Sequence, residues 1–117
     1  MDFLWVGAGG ALGAILRFGL SRVFSSLALP WGVFAINVVG SFLLGVVLGQ
    51  QMKQGLSSSM MYFLATGLLG AFTTFSALSW ENLQLWERGS YGILVVSVVG
   101  QIVLGAVGLW WGRSLLS

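Results

Sequence analysis

The chain has 117 residues, 57% of them hydrophobic and only 7% charged, with a formal net charge of +2. A soluble domain of this size exposes most of its surface and needs charged or polar residues to cover it, so that class is excluded. Without cysteine or histidine, disulfides, thiolate chemistry and the usual transition-metal sites are excluded as well, and the small basic excess lacks the clustering that binds nucleic acid.

Eight charged positions punctuate the chain: Asp2, Arg17, Arg22, Lys53, Glu81, Glu87, Arg88 and Arg113. Between them lie uncharged stretches at 23–52, 54–80 and 89–112, each long enough to cross a hydrocarbon core that takes about 20 helical residues. A shorter run, 3–16, reaches across if Arg17 snorkels to the headgroups. The pattern predicts an all-α membrane protein of four transmembrane helices, near 3–20, 31–49, 60–80 and 91–112, forming one domain over 1–117. Trp5, Trp31, Trp80, Trp86, Trp110 and Trp111 fall near the predicted ends, where amphipathic rings favour the interface. Asp2 stands where a secretory signal peptide has its basic segment, which argues against one.

The first helix carries Gly9 and Gly13, the second Gly45 and Gly49, and the fourth Gly108 and Gly112. Small residues four apart let helix backbones approach closely in lipid and predict a compact bundle. The second helix also carries Asn37 and Ser41, and the fourth Ser97 and Gln101, each pair at i and i+4 and so on one face. These polar stripes are either interhelical glue or the lining of a narrow hydrated path. The path is favoured for Asn37, whose amide donates to an anion; for Ser97 and Gln101 both readings stand.

The third helix is the most informative. Thr73, Thr74, Ser76 and Ser79 beside Gly70 make a poor helix former, because glycine loosens the backbone and hydroxyls compete for its polar groups. A break is expected near the middle of this helix, with freed carbonyls able to bind a cation. Phe72 and Phe75 flank the Thr pair. Packing is the ordinary role of such rings, but a ring edge carries partial positive charge and offers an anion a weak site.

Connections at 21–30, which holds Arg22 and the only proline, Pro30, and at 50–59 and 81–90 are short. Lys53 and Arg113 fall on one side of the membrane and Arg17, Arg22 and Arg88 on the other, so the basic bias that fixes orientation is nearly absent. Either the chain inserts one way on a small bias, or it inserts both ways and permits an antiparallel, dual-topology dimer. The acids are only Asp2, Glu81 and Glu87, and no base stands where it would pair with a nucleophile. An enzyme is not expected; binding or transport is.

The segment Gly70-Ala-Phe-Thr-Thr-Phe-Ser-Ala-Leu-Ser-Trp-Glu81 resembles the third-helix signature of the Fluc (CrcB-type) fluoride channels, roughly Gly-x-x-Thr-Thr-Phe-Ser-Thr-Phe-Ser-x-Glu. Gly9-Gly-Ala-Leu-Gly-Ala-Ile-Leu-Arg17-Phe and Asn37-Val-Val-Gly-Ser-Phe-Leu-Leu-Gly45 are similar to the family's other two signatures. The resemblance implies a fluoride-selective channel in a prokaryotic cell membrane, an antiparallel homodimer with two pores that exports fluoride passively and confers fluoride resistance. It further implies a sodium ion at the dimer interface, held by the carbonyls of Gly70 and Ala71 from both chains. Asn37, Phe75, Thr74, Ser76 and, more loosely, Ser97 would line the fluoride pore, with Arg17 and Glu81 as vestibule charges. Leu78 stands where the family usually has a second pore phenylalanine, and Ala77 where it has threonine. Either the pore accepts an aliphatic wall at Leu78, or a homologous partner chain supplies the ring in a heterodimer.

Two rivals remain. A small multidrug-type, proton-coupled antiporter shares the length and helix count but needs a membrane-embedded carboxylate, which the first helix lacks. A membrane scaffold explains the glycines but not Asn37 or the polarity of 73–76.

Overall fold

The computed structural model describes residues 1–27 and 31–116, so Ala28, Leu29 and Pro30 lie outside the described residues. Four helical spans are long and apolar enough to cross a membrane: Asp2–Ser26, Gly32–Lys53, Ser58–Glu87 and Tyr91–Leu116. The long dimension of the molecule is 47 Å, enough for a hydrocarbon core of about 30 Å and its headgroup layers.

The helices run beyond the apolar segments that mark them. The first reaches Ser26 rather than residue 20, the second Lys53 rather than 49, the third spans 58–87 rather than 60–80, and the fourth reaches Leu116 rather than 112. Apolar content limits only what lies in hydrocarbon, whereas the backbone keeps its internal hydrogen bonds until the sequence offers a stop. Two of those stops are glycines in the left-handed region, Gly55 (φ 78°) and Gly89 (φ 74°). There the N–H of Gly55 closes onto the carbonyl of Gln51 at 3.0 Å and that of Gly89 onto Trp86 at 3.0 Å.

Glycine contacts define the packing. A Cβ on Gly49 would lie 2.6 Å from the Arg113 carbonyl, and one on Gly45 would run into the carbonyl of Leu109. From the other helix, Gly112 lies against Phe42 and Val46, and Gly100 against the Phe34 ring. Residue numbers rise together along this seam, so the second and fourth helices are parallel, with Lys53 and Arg113 at one end. The first helix and the third span form a second parallel pair: a Cβ on Gly67 would lie 2.7 Å from the Val6 carbonyl, while Gly9 and Gly13 lie against the backbone of Phe63 and Leu68. The glycine spacings thus mark seams where backbone meets backbone.

Within the third span, Tyr62–Leu69 is π-helical. Such wide turns are rare and usually a single turn long; here they coincide with the stretch seated on Gly9, Gly10 and Gly13. Among the described residues few apolar side chains are buried inside the chain, namely Ile36, Leu69, Phe72 and Leu85, while rows of Leu, Val, Ile and Trp face outward. An outward apolar surface of this extent is one for lipid or for another chain.

The seam generates a stability test. Gly13→Ala should destabilise the detergent-solubilised protein by about 1–3 kcal/mol, because its methyl meets backbone that cannot rotate aside. Gly19→Ala, with nothing within 4 Å, should match or exceed the parent, since alanine favours the helix by about 0.5–1 kcal/mol. Thermal melts of both variants check this; equal melting would mean that the first seam is not a close contact.

Candidate functional site: the break in the third span

The third span breaks where its hydroxyl run predicts. Helix ends at Phe72, Thr73 (φ −79°, ψ 152°) and Thr74 (φ −149°, ψ 125°) are extended, and helix resumes over Phe75–Glu87. Both threonines bond locally, as their type favours. The hydroxyl of Thr73 donates to the Leu69 carbonyl at 3.0 Å, and that of Thr74 caps the new helix by accepting from the Ala77 N–H at 3.2 Å.

A break inside a membrane strips backbone groups of partners, and here side chains replace them. In an unbroken helix the Thr74 N–H would donate to the Gly70 carbonyl; instead it donates to Asn37 Oδ1 at 2.9 Å. Asn37 Nδ2 in turn donates to the Thr74 carbonyl at 3.2 Å. One side-chain amide therefore pairs with both backbone groups of one residue. The Ala71 carbonyl, which loses the Phe75 N–H, accepts from Arg17 Nε at 3.1 Å. Gly40 makes room for this arrangement, because a Cβ there would strike the Thr73 methyl and the Phe72 ring.

Arg17, expected to reach the headgroups, donates through Nε to a carbonyl at the break. It lies nine residues before the end of the first helix, half-buried, with its guanidinium turned onto the break. A half-buried charge is tolerated here because the Ala71 carbonyl, which has lost its helical donor, receives it.

Beyond Asn37 the polar chain continues into the fourth helix. Asn37 Nδ2 also donates to Gln101 Oε1 at 2.6 Å, and Gln101 Nε2 donates to Ser97 Oγ at 3.0 Å. Ser97 is fully buried and Gln101 nearly so. Asn37 of the second-helix stripe and both members of the fourth-helix stripe thus form one network that ends on the break.

Beside the network lies an open groove of about 640 Å³. Of the expected path residues, Asn37, Thr74, Phe75 and Leu78 line it. Ser97 does not, being sealed behind Gln101, and Ser76 instead approaches the Thr74 hydroxyl at 3.3 Å. Neither Arg17 nor Glu81 borders the groove. Phe72 takes the packing role, 6% exposed, whereas Phe75 leaves 81% of its surface uncovered by its own chain.

Ser41, Ser79, Asn82 and Gln101 line the groove too, and Asn82 Oδ1 is buried without a hydrogen-bond partner. Sequence reasoning passed over Asn82, although it lies three and four residues beyond Ser79 and Leu78 and so shares their face. No acidic or basic side chain is among the groove's lining residues. Amides, hydroxyls and a ring edge can hold a small ion weakly, without a fixed charge that would trap it.

The two carbonyls expected to hold sodium differ. Gly70 is exposed and its carbonyl has lost the Thr74 N–H as donor, which suits a hard cation that seeks oxygen ligands. Ala71 is less open to one, because one lone pair of its carbonyl already receives the positive Arg17 side chain.

Comparison with known proteins agrees with this architecture. Residues 4–113 match the family described as CrcB-like protein, Camphor Resistance (CrcB). A relative from Novosphingobium aromaticivorans, named fluoride-specific ion channel FluC, is 43% identical over 96% of this chain and 93% of its own. The FluC of Mesorhizobium japonicum is 41% identical over 97% and 98% of the two chains, and the FluC 2 of Clostridium acetobutylicum 35% identical over 98% and 97%. By full-length identity, matched residues and a four-span helical architecture, the chain belongs to the CrcB-like family.

Proposed function

We propose that this chain conducts fluoride passively out of the cytoplasm, relieving fluoride toxicity, and does so as an antiparallel homodimer in a prokaryotic cell membrane. The observation that carries the reading is the uncharged groove at the break, where the polar Asn37 and Thr74 meet Phe75 in a largely apolar wall, in a chain whose relatives bear the name of fluoride-specific channels. An anion that sheds water there meets hydroxyls, amides and a positive ring edge. Leu78 borders the same groove, so the aliphatic wall is part of the path in this reading, which takes the homodimer in preference to a heterodimer whose partner supplies the ring. A proton-coupled antiporter finds no support, since no carboxylate lines the groove.

Pairing of two chains accounts for the uncovered Phe75 ring and the exposed Gly70. Any cation at such a junction would draw on Gly70 ahead of Ala71. Two against three basic residues at the two ends leave both orientations accessible.

Liposomes containing only the purified chain test the function: fluoride efflux with little chloride leak is expected, and its absence would reject self-sufficient fluoride conduction. Topology has its own test. The second helix begins beside Phe24 and the fourth packs against its far end, which sets positions 22 and 53 at opposite ends of the molecule. Cysteines at these positions, placed one at a time, should each be labelled from outside intact cells in a comparable fraction of molecules. Labelling at one position alone would reject the antiparallel dimer.

A further inference from the structure

We propose that Gln101 is a positioning residue of the ion path that competes with the anion for the outward N–H of Asn37. The inference rests on fluoride conduction along the groove and refines it.

The direction of the network is fixed by a group that cannot flip. The Thr74 backbone N–H is a donor only, so the Asn37 atom facing it at 2.9 Å is the oxygen Oδ1. Nδ2 then carries two protons, one directed to the Thr74 carbonyl and the other to Gln101 Oε1. Both donors are engaged within the protein. The pairing with Thr74 holds the break together, whereas the bond to Gln101 points across to the groove wall, which both side chains line.

Gln101 is well seated for this role. It is 8% exposed, and its own Nε2 rests on the fully buried Ser97 hydroxyl. At 2.6 Å its bond to Asn37 is shorter than the 3.2 Å bond to Thr74. An anion that takes an Asn37 proton without opening the break must therefore displace Gln101 Oε1. Because a protein acceptor already satisfies that donor, binding gains only the difference between two hydrogen bonds. The site stays weak, as fast exit requires.

Flux measured against fluoride concentration, in liposomes holding the native chain, Gln101→Met or Ser97→Ala, tests this. Methionine keeps the length of the side chain but accepts poorly. For Gln101→Met the half-saturating fluoride concentration should fall about three- to tenfold, the worth of one net hydrogen bond, and the maximal flux should fall with it. Ser97→Ala, which loosens the seat of Gln101, should shift both quantities the same way by less. A half-saturating concentration that stays or rises in Gln101→Met overturns the proposal, because a residue that packs helices or donates to the ion gives that sign. If Gln101→Met fails to assemble, the sign in Ser97→Ala decides alone. A native chain without saturable fluoride flux would instead reject the conduction reading, and this inference with it.

Discussion

Thr74 presents a backbone N–H and a carbonyl that no helix satisfies, in a span that crosses hydrocarbon, and the side-chain amide of Asn37 takes both. An orphaned pair of this kind costs several kcal/mol in lipid. The second helix therefore has to place an amide within reach of one residue of the third span. Asn37 meets that demand from three residues, nearly one turn, before Gly40, whose missing side chain lets Thr73 and Phe72 come close. Arg17 meets the matching demand at Ala71 from the first helix. The break is thus held from two sides by residues on different helices, and the close glycine seams bring those helices into reach.

This arrangement shifts the emphasis of Asn37. Read from its type alone, the amide is a donor waiting for an anion; in the structure it is first a replacement for lost backbone hydrogen bonds. The two roles coexist only if something adjusts when an ion arrives, and the bond to Gln101 is the one whose loss leaves the break intact. An ion path built on borrowed hydrogen bonds binds weakly by construction, consistent with conduction.

Much of this was legible in the sequence. Spans follow from the charge-free runs, the seams from glycines four apart, and the break from hydroxyls clustered beside Gly70, because each reflects a local rule that lipid makes strict. What was not legible depends on three-dimensional pairing. That Arg17 turns inward follows from the Ala71 carbonyl losing its donor, a contact 54 residues away in sequence. The sealing of Ser97 behind Gln101 follows from how the second and fourth helices are rotated, which an i, i+4 stripe does not fix. The π-helical turns over Tyr62–Leu69 lie where the third span packs on the first helix, and the lone Gly67 within them does not distinguish a wide turn from an ordinary packing glycine.

The most direct test of Asn37 as the clamp on the break is hydrogen exchange at the Thr74 amide, compared between the native chain and Asn37→Leu. In the native chain Thr74 should exchange slowly although it lies outside any helix. In Asn37→Leu its exchange should accelerate roughly ten- to hundredfold, as expected when a buried donor loses its acceptor, with amides in the middle of the second and fourth helices unchanged. Equal protection of Thr74 in both proteins would contradict the clamp.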